Sequence, residues 1–114
     1  MFKLALNAGH GKNTLGKRCM KKLDPKQTRE WVLNSRICEK IEEKLKVYTG
    51  YDVLRLDDPT GIKDIALKKR TDAANKYGAD FYLSIHHNAG VNGGIGGGTE
   101  TYVYIKADAE SKEW

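Results

Sequence analysis

The chain contains three histidines, His10, His86 and His87. Each falls where an apolar run gives way to a polar turn. Neutral imidazole is the commonest metal ligand among side chains. Two histidines and one carboxylate, with a fourth position left open, form a catalytic zinc arrangement. Three acids are placed to complete such a set: Glu30, Asp57 and Asp58. Glu30 lies in the first turns of an expected helix that follows the His10 loop, although an acid there also complements the helix dipole. Asp57 and Asp58 follow a second apolar run, and they also suit a plain turn.

These residues meet only if the backbone brings their segments to one edge. Residues 2–7 are a short apolar run that ends at Ala8-Gly9-His10-Gly11 and reads as a first strand. Asp24-Pro25-Lys26-Gln27 is a helix-start signal, with Asp as the cap and Pro at the first helical position. It predicts a helix from Pro25 to about Tyr48. Leu33, Ile37, Ile41 and Leu45 recur every fourth residue along its apolar face, with Trp31 and Cys38 alongside. Residues 51–56 read as a second strand. Ile62 to Tyr77 reads as a second helix, with Ile65, Ala66, Ala73 and Tyr77 inward and Gly78 as its C-terminal cap. Residues 80–86 form a near-continuous apolar run, as expected for a strand buried on both faces. Gly90 to Gly98 holds six glycines in nine residues and reads as a mobile loop. Thr99 to Ile105 alternates like a fourth strand, and Ala107 to Trp114 like an opening helix.

This alternation predicts an α/β fold: a three-layer domain with a mostly parallel central sheet flanked by helices. Ligands in such sheets bind beyond the carboxyl ends of the strands, where His10 and His86-His87 are expected. The chain's 114 residues suffice for one domain. No apolar run approaches the ~20 residues of a membrane helix. The N-terminus is too quickly polar for a signal peptide. Cys19 and Cys38 show no metal-ligand or framework spacing and are expected as free thiols. The net charge is +5. Between Lys12 and Lys26 six basic residues accompany one acid, Asp24. That run suits a solvated loop or a rim for an anionic partner. It contains no aromatic residue, so a nucleic-acid stacking platform is not indicated. The glycine run lacks the Lys-Ser/Thr of a phosphate loop, which argues against nucleotide binding.

Several segments together resemble the zinc-dependent N-acetylmuramoyl-L-alanine amidases of bacterial autolysins and phage endolysins. They are Leu6 to Gly11, Glu30 with Asn34, Arg70 to Asn75, Ala79 to Ala89 and Gly98 to Tyr104. The resemblance covers essentially the whole chain, and the block Ala79–Ala89 is its most specific part. It implies one zinc ion held by His10, Glu30 and His86. It also implies hydrolysis of the amide between muramic acid and L-alanine, with peptidoglycan as partner and the bacterial wall as the place of action. Adjacent strand residues face opposite ways, so His87 is expected at the substrate rather than at the metal. Asn88 is a second candidate substrate contact, and Ser84 flanks the same place. The family's general base is a late glutamate with no counterpart after Ile105. Glu100 lies in a family motif and is read first as a rim or structural carboxylate, with the catalytic carboxylate as its alternative role. The resemblance further implies that residues 1–114 form an amidase catalytic domain lacking its last helix and strand. The alternative function is a zinc- and peptidoglycan-binding fragment that is catalytically weak.

Overall fold

The computed structural model describes residues 1–89 and 97–113. Three strands, β1 (Phe2–Ala8), β2 (Tyr51–Arg55) and β3 (Phe81–Ile85), alternate with helices α1 (Glu30–Leu45), α2 (Leu67–Tyr77) and α3 (Ala109–Glu113). Both pairings within the sheet are parallel, in the order β2-β1-β3. β1 is thus the central strand, with Leu4 through Ala8 all buried. Its residues alternate between two cores. Leu4, Leu6 and Ala8 pack with Trp31 and Cys38 of α1. Ala5 packs with Leu56 and with Ala74 of α2. The two helices therefore cover opposite faces of the sheet, giving the expected three layers. Leu6 is fully buried at the centre, a placement that contributes roughly 1.5–3 kcal/mol.

The parallel register sets the functional edge. Ala8 pairs with Ile85, and the Gly9 N–H donates to the Ile85 carbonyl at 3.0 Å. His10 and His86 consequently leave the sheet side by side at its carboxyl end.

Helix α1 starts at Glu30, not at Pro25. Asp24 does act as a cap, but of a tight turn, accepting from the backbone N–H groups of Lys26 and Thr28. Gln27 then adopts a positive φ of 50°. Residues 28 and 29 turn back into extended backbone, with the Cys19 N–H donating to the Thr28 carbonyl at 2.9 Å. The buried stripe of α1 is Trp31, Asn34, Ser35 and Cys38, whereas Ile37 is exposed. In α2 the inward residues are Arg70 and Ala74 rather than Ala66 and Ala73. Gly78 ends α2 in the left-handed region at φ 72°, as its capping position requires.

Two strand expectations are corrected. β3 lies at an edge of the described sheet, and its Ser84 is exposed. Residues 99–105 are exposed and form no strand. Their alternation is only a propensity, and a strand needs a partner edge to become one. Most of the expected glycine loop lies outside the described residues. Among the described residues no helix is long and apolar enough to cross a membrane. Both cysteines are free thiols, and burial pushes that of Cys38 up to about 11.

A buried brace underlies the carboxyl-end edge of the sheet. Arg55 Nε and Nη2 each donate to Asp57 at 2.8 Å, and the Trp31 indole N–H donates to Asp57 Oδ2 at 2.9 Å. Burial alone would push the Asp57 carboxyl up, but the Arg55 fork and the Trp31 N–H outweigh it and hold it below its ordinary value. A carboxyl depressed in the folded state stabilises the fold above its unfolded value, and that contribution is lost as pH falls through the folded value. The stability difference between wild type and Asp57→Asn is therefore expected to be full at neutral pH. It should shrink on acidification below the ordinary carboxylate range. Urea unfolding of both proteins along a pH series checks this, and a difference unchanged in strong acid contradicts it.

Candidate metal centre

The centre is assembled from three elements that the sheet brings together. His10 follows β1, Glu30 opens α1, and His86 follows β3. One ligand atom from each lies within 4.8 Å of the others. His10 Nε2 stands 3.5 Å from Glu30 Oε2, and His86 Nδ1 stands 3.1 Å from Glu30 Oε1. The two imidazoles meet edge to face with centroids 5.0 Å apart. The late start of α1 matters here. It places Glu30 at the very opening of the helix, with its backbone N–H donating to the Lys17 carbonyl at 3.0 Å.

Glu30 is buried. Among the described residues its ion-pair partners are the two histidines, with no Lys or Arg facing it. A buried carboxylate ordinarily needs a positive partner. Two imidazoles and a carboxylate suit zinc, whereas calcium or magnesium would call for an all-oxygen set. Burial lowers the His10 imidazole below its ordinary value, against the pull of Glu30, and His86 and Lys17 lower it further. This favours the neutral ring, the form that ligates.

The surrounding polar groups hold each ligand in place. Asn34 is fully buried. Its Nδ2 donates to the Gly9 carbonyl at 3.1 Å and lies 3.3 Å from Glu30 Oε1. The His87 N–H donates to Glu30 Oε1 at 3.0 Å. The His87 ring is not one of the three clustered groups, and its Nδ1 lies 2.7 Å from Asn34 Oδ1. His10 itself has a positive φ of 64°, a conformation that costs about 1–3 kcal/mol outside glycine. Arg70 holds that turn. Its Nη1 donates to Asn7 Oδ1 and to the Ala8 carbonyl, both at 2.7 Å, and its Nη2 donates to the His10 carbonyl at 3.1 Å. The same Nη2 pairs with Asp64 at 3.0 Å. Asn7 Nδ2 donates to Ser84 Oγ at 2.8 Å, tying β1 to β3 just before the site.

Gly9 leaves room for His86. A Cβ at Gly9 would clash with the edge of the His86 ring, 2.5 Å from Nδ1 and 2.6 Å from Nε2. A cleft of about 250 Å³ opens beside the cluster, lined by His10 and His86 together with Asp64, Ile65, Leu67 and Arg70.

The other candidates fall elsewhere. Asp57 is spent on the Arg55–Trp31 brace, and Asp58 closes a turn with Thr60 and the Lys63 N–H. Glu100 is outside the three-residue cluster. Its Oε2 accepts from the Tyr102 hydroxyl at 2.6 Å and lies 3.4 Å from Asn88 Nδ2. Sequence reasoning missed the work of Arg70 and Asp64. The available signal was an arginine four residues before Ala74, on the side of a largely polar helix that has to face the sheet.

Residues 4–114 match the family model described as N-acetylmuramoyl-L-alanine amidase. The chain is similar to the N-acetylmuramoyl-L-alanine amidase CwlM of Bacillus licheniformis, 36% identical over 106 residues, covering 91% of this chain and 37% of that protein. It is 33% identical over 109 residues to the sporulation-specific N-acetylmuramoyl-L-alanine amidase of Bacillus subtilis (strain 168), covering 91% of this chain and 36% of that one. Among solved structures, an N-acetylmuramoyl-L-alanine amidase from Clostridium difficile 630 superposes with a TM-score of 0.74 at 31% identity, over 98% of this chain and 57% of that one. The catalytic domain of CwlV from Bacillus (Paenibacillus) polymyxa var. colistinus shares the fold, with a TM-score of 0.63 at 23% identity, over 81% of this chain and 48% of that one. The chain thus spans little more than a third of the curated relatives' length.

Proposed function

The chain belongs to the N-acetylmuramoyl-L-alanine amidase family, and from that premise we propose that His10, Glu30 and His86 hold one zinc ion for hydrolysis of the amide between N-acetylmuramic acid and L-alanine in peptidoglycan. The observation that carries this reading is the convergence of two imidazoles and one buried carboxylate within 4.8 Å at the carboxyl end of the sheet. Zinc held there supplies Lewis-acid chemistry: it polarises an amide carbonyl and makes a water acidic enough to attack near neutral pH.

The chain's own residues do the rest. Glu30 Oε1 accepts from the His87 N–H and faces Asn34 Nδ2, contacts that would hold the carboxylate between the two imidazoles for the ion. Asn34 Nδ2 is turned to the Gly9 carbonyl, which leaves Asn34 Oδ1 to accept from His87 Nδ1. We place His87 and Asn88 on the substrate side, as contacts to the muramoyl peptide. Glu100, beside Asn88, is the proposed carboxylate that takes a proton from the attacking water and passes it to the leaving amine. The place of action is then the bacterial wall, with neither nucleic acid nor membrane insertion required.

Release of free amino groups from purified peptidoglycan tests the reaction. The zinc-loaded chain is expected to release them. Glu100→Gln is expected to slow release by about 10²–10⁴ with unchanged zinc content. If the zinc-loaded wild-type chain releases no amino groups, the hydrolytic reading fails. If Glu100→Gln keeps the wild-type rate, proton transfer belongs to another group.

A further inference from the structure

The six cations from Lys12 to Lys26, between β1 and α1, are not among the three clustered side chains, and among the described residues no ion pair within the fold consumes their charge. Lys12, Lys17, Arg18, Lys21, Lys22 and Lys26 are all exposed. Among the described residues none of the six takes part in an ion pair. The single acid of the run, Asp24, is spent on Thr28 and the Lys26 backbone. It shapes the loop and leaves the six cations largely uncompensated.

The loop is also built. An antiparallel bridge joins Arg18 to Arg29. Arg29 Nη1 donates to the Thr14 carbonyl at 3.1 Å, and Thr14 Oγ1 donates to Asp64 at 2.7 Å. Gln27 Nε2 reaches the Cys19 carbonyl at 3.4 Å. The Lys17 carbonyl receives the backbone N–H of Glu30, so the cations ride on the backbone that presents a metal-centre residue. Lys12 Nζ lies 5.5 Å above the Trp31 ring, next to Glu30 in sequence.

We propose that this loop docks a flexible anionic polymer whose charges are phosphodiesters, of the kind attached to bacterial peptidoglycan, and holds it beside the metal centre. The choice of that polymer rests on the amidase reading. Six cations spread along fifteen residues do not converge on one carboxylate, but a flexible chain with repeating single charges can follow them. Lysine ammonium groups are point charges that need no planar partner, which suits phosphodiesters better than paired recognition of a peptide carboxylate. With no aromatic residue in the run, bases gain nothing by stacking.

The test compares wild type with the triple variant Lys21→Gln/Lys22→Gln/Lys26→Gln, whose side chains are outside the metal cluster. Five probes are used: soluble poly(glycerol phosphate), purified walls carrying phosphate polymer, the same walls stripped of it with hydrofluoric acid, duplex DNA and phosphatidylglycerol vesicles. Wild type is expected to bind the first two, with affinity falling steeply as salt rises. The triple variant is expected to bind at least about tenfold more weakly, and stripped walls to hold wild type no better than the variant. Equal binding to stripped and unstripped walls overturns the proposal, because peptide carboxylates would then suffice. So does equal binding by the variant, or stronger binding to duplex DNA or phosphatidylglycerol vesicles at matched charge. Zinc content and amide release from a soluble muropeptide are measured in parallel and should not differ between the two proteins. If both are absent while charge-dependent polymer binding persists, the docking surface stands and the amidase reading alone falls.

Discussion

Arg70→Met is expected to destabilise the protein by at least about 3 kcal/mol, lowering the melting temperature by more than about 10 °C, and to weaken zinc binding as well. Arg70 is buried in α2 and donates to Asn7, the Ala8 and His10 carbonyls, Asp64 and the Ile65 carbonyl. A methionine fills similar space and satisfies none of these acceptors. Asn7 Oδ1 and the Ala8 carbonyl then stay buried without this donor, which costs more than the lost bonds themselves. The His10 backbone also loses the donor that holds its left-handed turn. Arg70→Lys should recover little, since one ammonium cannot span acceptors on both sides of a planar fork. Thermal unfolding of the zinc-free proteins reads the structural part. An Arg70→Met protein within about 1 kcal/mol of wild type would contradict this account.

Gly9→Ala should have the opposite profile, with the fold retained and the centre lost. The Gly9 backbone does not require a positive φ, so alanine is tolerated locally. The added methyl would clash with the edge of the His86 imidazole, forcing that ring off its position beside Glu30. Displacing a ligand's support typically costs 10–100-fold in metal affinity, and displacing the ligand itself should cost at least the upper end of that range. Wild-type zinc affinity in Gly9→Ala would show that His86 is not needed where the structure places it. The two variants separate holding the backbone from clearing space for a side chain.

The sequence made the edge that gathers His10 and His86 legible because histidines are rare in this chain and parallel strands align their ends. The apolar runs at residues 2–7 and 80–86 were read correctly as strands, and their shared edge followed from the α/β pattern. Glu30 could be placed because any helix following the His10 loop must start near that edge. Its exact place at the opening of α1 could not be read. Asp24-Pro25 carries every local sign of a helix start, yet pairing of residues 18–19 with 28–29 claims the next backbone groups. Asp57 looked like a turn residue. Its value lies in contacts to Arg55 and Trp31, and the Trp31 partner is 26 positions away. Arg70 was visible only as part of a resemblance, since its partners at Asn7, Ala8 and His10 lie some 60 residues earlier. Local pattern carries element type. Long-range hydrogen bonding, which decides where elements begin and what braces them, has no local signature.

The central claim is that His10, Glu30 and His86 form a zinc site in this chain. Titration of the metal-free protein with zinc, read by calorimetry and by metal analysis after dialysis, tests it most directly. The expected result is one zinc per chain, with binding lost or weakened at least about a hundredfold in His10→Ala, Glu30→Ala and His86→Ala. His87→Ala, which removes a ring turned towards Asn34, should keep the one-to-one stoichiometry. No zinc uptake by wild type, or uptake unchanged by His10→Ala, would contradict it.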